Sequence, residues 1–320
     1  MPYSPLAAAQ GAHAQYSGDV IRIGFMTDMS GVYADVDGPA GADAIKMAIA
    51  DAGGKINGKK VEFISADHQN KPDTAVSIAR KWYDVDGVDM ITELTTSSVA
   101  LAIQELSKEK KKIDIVVGAA TSRITGDACT PYGFHWAFDT RALAVGTGGA
   151  LVKAGGDTWY FLTADYAFGY ALEKDTSEIV QANGGKVLGS VRHPLNSSDF
   201  SSFLLQAQSS KAKIVGLANA GLDTANSIKQ AAEFGIVAGG QKLAGLLMTL
   251  AEVNGLGLKA AQGLVLTEAY YWDRDDKSRE FAERYFKRTN RMPNMIQAGT
   301  YSATLSYLKA VKAAGTKDTD

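Results

Sequence analysis

Three stretches of this chain set small hydroxyl side chains and backbone amides close together. They are Thr27-Asp28-Met29-Ser30-Gly31-Val32-Tyr33, Leu94-Thr95-Thr96-Ser97-Ser98 and Ala119-Ala120-Thr121-Ser122. The second runs directly into a stretch with helical periodicity. Unpaired N–H groups at a helix start, together with the helix dipole, favour negative charge. Hydroxyls beside them add donors, so the chemistry on offer is the holding of a small anion such as a carboxylate. Ser and Thr are also ordinary helix caps, and one such loop would mean no more than that. Two of them, after adjacent strands at one sheet edge, point to a carboxylate seat.

Other chemistries lack their residues. Gly146-Thr147-Gly148-Gly149 is the nearest approach to a dinucleotide fingerprint, but it sits inside a helical stretch and lacks the third glycine. There is no phosphate-binding G-x-x-x-x-G-K-[ST] and no G-x-S-x-G elbow. His13, His68, His135 and His193 are scattered without H-x-x-x-H spacing, which argues against zinc. An enzyme would need a nucleophile and a base in one cleft, and only Ser97 with His68 offers that arithmetic. No catalytic residue, metal or cofactor is therefore expected. His68 lies in a polar loop after a strand and reads as a solvated loop residue, with the cleft wall as its alternative.

The elements that must carry these loops alternate regularly. Strand patterns at 20–26, 60–66, 89–93 and 114–118 are separated by helical patterns at 38–52, 73–84 and 97–109. That order implies a parallel sheet with helices on both faces. The pattern restarts with a helix at 141–154 and strands at 158–163, 186–192 and 213–218. Helices at 169–183, 200–209 and 223–234 accompany them. A strand at 263–268 and helices at 277–289 and 297–314 complete the chain. Two α/β units in one chain place a cleft between them.

The totals agree with two soluble units. The 320 residues exceed what one core usually serves, and no apolar run approaches the ~20 residues of a membrane span. A formal charge of -2 gives no field for steering to nucleic acid. The single cysteine, Cys129, can form no internal disulfide and is expected to be a buried small apolar residue. Ala12-His13-Ala14 has the small-x-small form that signal peptidase accepts, although no Lys or Arg precedes it. The apolar stretch before it is short, so residues 1–17 read as a signal-peptide remnant or a disordered leader, and the protein as exported.

The stretches IRIGFMTDMSG, GPAGADAIKMAIADAGGKINGKKVEFISADHQNKPDTAVSIARK, TTSSVALAIQ, VVGAATSRITGDACTPYGFHW, YFLTADYAFGYALEKD and GLVLTEAYYW resemble, in this order, the leucine/isoleucine/valine-binding family of ABC-importer receptors. The resemblance runs from Val20 to the C-terminus. It implies the type I periplasmic-binding fold: two α/β lobes, each a mostly parallel sheet flanked by helices, closing on ligand like a hinged clamp. Lobe 1 would be residues 18–139 plus 267–320, and lobe 2 residues 140–266. It implies periplasmic location, a membrane permease as partner, and a monomer. Members of the family usually continue some tens of residues beyond the position of Gly315, so the chain is expected to be shortened at its end.

Residue by residue, the resemblance puts the carboxylate-holding hydroxyl on Thr96, with Ser97 beside it. Backbone-carbonyl and threonine contacts fall on Ala119 and Thr121, and the aromatic wall on Phe168 with Tyr166 adjacent. Two departures matter. The acid that holds a ligand's α-ammonium should follow Ala244-Gly245, where the chain reads Leu246-Leu247-Met248. An aromatic residue expected near 218–221 is replaced by Ala218-Asn219-Ala220-Gly221, which puts Asn219 in that wall. An unpaired ammonium in a closed cleft is costly. With Tyr33 and Met248 as further walls, the expected ligand is an aromatic carboxylate of benzoate or phenylpropanoid type. Asp35, Asp165, Asp223 and Glu268 are the other acids within reach of such a site, and Asp165 is expected to cap the helix that follows it. The alternatives are a branched-chain amino acid, amide or short-chain acid receptor, or the sensor domain of a regulator.

Overall fold

A computed structural model of the chain describes residues 20–319. The cleavage-like Ala12-His13-Ala14 lies outside the described residues. The first unit comprises β1 (Val20–Thr27), α1 (Gly38–Asp51), β2 (Lys55–Ile56), β3 (Lys59–Asp67), α2 (Pro72–Asp84), β4 (Met90–Glu93), α3 (Ser97–Lys110), β5 (Ile113–Val116) and β6 (Gly133–His135). Its six strands run in the order β2-β3-β1-β4-β5-β6, parallel except for the β2–β3 hairpin. Side chains alternate across a strand, so a sheet covered on both faces needs near-continuous apolar strands. In β1, Ile21 and Ile23 join Met90 and Ile115 in one core, while Met26 joins Ile91, Val116 and Trp82 in another.

The second unit follows the same logic. It comprises α4 (Thr140–Leu143), a π turn at Ala144–Gly148, α5 (Gly149–Lys153), β7 (Thr158–Ala164), α6 (Ala167–Ala182), β8 (Lys186–His193), α7 (Ser201–Ser209), β9 (Ile214–Ala218), α8 (Leu222–Glu233), β10 (Lys242–Gly245) and α9 (Leu250–Leu256). The four strands are parallel in the order β10-β9-β7-β8. Trp159 and Phe161 of β7 pack to one side, and Leu162 meets Phe200, Leu204 and Leu217 on the other.

The last two helices, α10 (Asp276–Thr289) and α11 (Met295–Ala314), return to the first sheet. Tyr285 donates to the Ala40 carbonyl at 2.9 Å, and Asn294 and Gln297 both donate to the Val36 carbonyl, at 2.7 and 2.8 Å. Where the chain crosses between sheets, the Thr147 and Thr267 hydroxyls stand 2.9 Å apart. Thr140 accepts from the Ser122 amide and donates to Asp175.

Three expectations are corrected. The stretch 263–268 forms only a single bridge, Val265 to Ala244, because the short fourth strand β10 completes the second sheet's edge instead. The helix expected at 141–154 is interrupted by the π turn. Cys129 is exposed, not buried, since it lies in the turn that carries the chain over the sheet edge into β6.

Candidate functional site

The carboxyl ends of both sheets face one narrow cavity. Its wall is Tyr33, Val36, Thr95, Thr96, Ser97, Gly118, Ala119, Ala120 and Ile296 from the first unit, and Tyr166, Phe168, Ala220 and Leu247 from the second. No charged side chain is among them. The two units touch directly across it. The Tyr33 and Tyr166 hydroxyls lie 2.5 Å apart, and the Leu222 amide donates to the Val32 carbonyl at 3.1 Å. Burial, and then the facing Tyr166, push Tyr33 well above its usual pKa, so the pair bonds as neutral phenols.

The turn between β4 and α3 is unusual backbone. Glu93, Leu94 and Thr96 all have positive φ, at 85°, 60° and 96°. Such conformations persist only when the surroundings over-determine them. Here the Leu94 amide donates to the Met26 carbonyl at 2.9 Å, and the Val117 and Gly118 amides donate to the Glu93 carbonyl. The Thr95 amide and hydroxyl both donate to the Glu93 carboxylate. A β-carbon on Gly118 would land on that carboxylate and on the Thr95 hydroxyl, so only glycine lets β5 pass this closely. Burial raises the Glu93 carboxyl to about 7, with the Thr95 donors pulling the other way. Asp37, also buried and facing Glu93, is raised as well.

The turn delivers the start of α3 to the cavity with no side chain capping it and no acid in its first turn. α6 arrives from the other sheet with the same two properties. Two helix N-termini with unclaimed positive ends thus converge on a wall without charge, the arrangement that holds an anion.

The hydroxyls divide by direction. Thr95 donates to Glu93, and Thr96 donates to Asn70 Oδ1. Ser97 Oγ accepts from the Thr121 amide at 3.2 Å, which leaves its proton to give. Thr121 stands outside the wall; its hydroxyl accepts from the Arg123 amide and caps the 3-10 turn Ser122–Ile124. Ala119 is in the wall, with its carbonyl accepting from His135 Nε2 at 2.9 Å.

Two further residues are displaced by one position. Asn219 is fully buried beneath the wall, where it bonds His193, Thr224 and Ser227, and Ala220 takes the cavity place. Met248 packs in the second unit's core, and Leu247 faces the cavity. Val36 and Ile296 were not foreseen at all. Val36 precedes α1, and Ile296 enters from the C-terminal helix, where only the three-dimensional return of α11 brings it near.

His68 is neither solvated nor in the wall. It is buried under its loop with Nδ1 accepting from the Asn70 amide, and burial lowers it to about 4 despite the nearby Asp28 and Asp67. Its Nε2 has no partner within ordinary hydrogen-bond length; the Thr95 carbonyl is the acceptor that faces it. Its bonds and those of Ser97 run to different partners, so no nucleophile–base pair is formed.

The four acids near the site are engaged elsewhere. Asp165 does not cap α6; it is exposed and accepts from the Tyr170 hydroxyl. Asp35 is exposed and pairs with Arg291 at 3.4 Å. Asp223 accepts from the Asn196 and Ser197 amides, and Glu268 from the Leu250 amide. Among the described residues no group of His, Cys, Asp or Glu is arranged to hold a metal ion.

Comparison with known proteins gives a consistent family. A family model described as periplasmic binding protein matches residues 20–320. A periplasmic binding protein from Burkholderia mallei is 59% identical, with a TM-score of 0.93 over 94% of this chain and 80% of that one. A branched chain amino acid ABC transporter periplasmic ligand-binding protein from Burkholderia xenovorans LB400 is 40% identical, with a TM-score of 0.80 over 93% and 80%. A solute binding protein of an ABC transporter from Rhodopseudomonas palustris BisB5, solved with 3,4-dihydroxy benzoic acid, is 28% identical, with a TM-score of 0.86 over 95% and 84%. With its two mainly parallel sheets and the cavity between their carboxyl ends, the chain belongs to the periplasmic binding protein family, the solute-binding receptors of ABC transporters, in its leucine/isoleucine/valine-binding type I form.

Proposed function

We propose that this receptor captures an aromatic carboxylate, of benzoate or phenylpropanoid type, for import through a membrane permease. One observation carries the reading: the cavity wall holds no acid to pair an α-ammonium, while two uncapped helix starts face it. A buried ammonium without a carboxylate would be costly. A flat apolar ring instead meets Tyr166 and Phe168, whose centroids lie 5.9 Å apart, and stacking there adds about 0.5–1.5 kcal/mol beyond burial. The carboxylate sits at Ser97 and the first turn of α3. Lobe 1 is residues 18–139 plus 267–320 and lobe 2 residues 140–266, and they close by hinge motion near the Thr147–Thr267 crossing.

A second reading, a branched-chain amino acid receptor, is favoured by the name of the 40% identical Burkholderia xenovorans protein. Calorimetry separates the two. Benzoate or 4-hydroxybenzoate should bind with micromolar or tighter Kd, and leucine should not. Tight leucine binding with no response to the aromatic acids would overturn the aromatic reading.

A further inference from the structure

We propose that Asn70 sets ligand specificity: it fixes the Thr96 hydroxyl as an acceptor toward the cavity, so that an aromatic carboxylate bearing a ring hydroxyl binds in preference to the unsubstituted acid. This rests on the aromatic-acid reading above and names the ligand within it.

The loops beside the cavity are organised around Asp28. Its carboxylate accepts from the Gly31 amide at 2.7 Å, the Tyr33 amide at 2.9 Å and the Ser30 amide at 3.3 Å. Asn70 reaches the same carboxylate with its side-chain amide at 2.6 Å. A carboxylate engaged by this many donors can only accept, so the end of Asn70 that faces it is the NH2 group. The orientation of the amide is thereby settled by its partner and not by the shape of the side chain. Its carbonyl oxygen then points the other way, and Thr96 Oγ1 is hydrogen-bonded to it.

A hydroxyl has one proton. With that proton committed to Asn70, Thr96 offers the cavity only lone pairs, although it is part of the wall. Ser97, the next residue, is opposite in character: it accepts from the Thr121 amide and keeps its proton for the cavity. Two adjacent hydroxyls of the same turn therefore have opposite polarity, one donating and one accepting. A carboxylate offers acceptors alone and pairs with Ser97 and the α3 amides. At Thr96 it would meet lone pairs with lone pairs. A ring hydroxyl can donate there, and an unsubstituted ring leaves the acceptor dry. The loop that carries Asn70 is built for this position, with Gln69 and Asn70 both at positive φ, 54° and 57°. Asn tolerates that conformation better than most residues.

The test is calorimetry of benzoate and of 2-, 3- and 4-hydroxybenzoate against the wild-type protein, T96V and N70G. Glycine suits the positive φ of residue 70, and valine keeps the shape of Thr96. In the wild type, at least one hydroxybenzoate should bind roughly five- to tenfold more tightly than benzoate, the value of one good hydrogen bond. That ratio should fall to about twofold or less in both variants. A purely structural role for Asn70 would weaken all four acids together and leave the ratio standing, which overturns the proposal. Thermal unfolding checks that each variant is folded; if N70G is not, T96V alone decides. Binding of the acids by the wild type with no preference overturns this inference and leaves the aromatic reading intact. Binding of leucine alone overturns both.

Discussion

Thr95, Thr96 and Ser97 are three consecutive hydroxyls, and only the third has its proton free for a ligand anion. Ser97→Ala should therefore weaken aromatic-acid binding by roughly 1–3 kcal/mol, read by calorimetry, since a charged partner loses a hydrogen bond. An unchanged Kd would move the carboxylate seat elsewhere. A second residue bears on pH. Asp114 is fully buried, both its oxygens lack a partner within hydrogen-bond length, and burial lifts its carboxyl to about 7 with the Ser107 hydroxyl opposing. The unfolded chain releases this proton near pH 4 (about 3.9). Between the two values the folded state holds a proton that the unfolded state has lost, so stability falls as pH rises from about 4 to about 7 and then levels. Asp114→Asn should flatten that fall and raise Tm at pH 8 by roughly a few °C, with little change at pH 4. Of the residues expected from sequence, Tyr33, Thr96, Ser97, Ala119, Tyr166 and Phe168 line the cavity, while Thr121, Asn219 and Met248 do not. Asn219 for Ala220 and Met248 for Leu247 are slips of one residue just past the ends of β9 and β10. Period-2 alternation stops there, and nothing local says which side chain turns inward.

At the scale of elements, the strained β4–α3 turn and the β5 end are one device. Gly118→Ala would drive a β-carbon into both the Glu93 carboxylate and the Thr95 hydroxyl. It should cost about 1–3 kcal/mol of stability, as overpacking does, and displace the start of α3 so that binding falls as well. Denaturant unfolding with calorimetry checks this, and a variant with native affinity would show that the turn can shift freely. The alternation of strands and helices was legible because each long element, such as β1 or α2, carries its own period. β6 (Gly133–His135) and β10 (Lys242–Gly245) were not, because three or four residues show no period and each has at most one bulky apolar side chain. Met90-Ile91 and Ile115-Val116, by contrast, mark the equally short β4 and β5. The interrupted α4–α5 helix was equally silent, since a π turn uses ordinary helical residues.

The whole molecule is expected to work by approach of its two units. Gly221 lies where they meet, at φ +63°, and a β-carbon there would stand 2.5 Å from the Val32 carbonyl and 2.9 Å from the Tyr33 ring. Gly221→Val should hold the units apart: ligand affinity falls by tenfold or more (about 1.4 kcal/mol) while each sheet keeps its own core. Small-angle scattering should then show a radius of gyration that no longer shrinks on adding ligand. A normal contraction would mean that the contact at Gly221 yields. The exposed turn at Cys129 lends itself to a different use. Because it holds the only thiol in the chain, a maleimide dye goes to one known place without any cysteine having to be removed. Leu188→Cys on β8, a strand of the other sheet and already half-exposed, would supply a second attachment point. Energy transfer between the two dyes would then turn the receptor into an optical reporter of its own ligand.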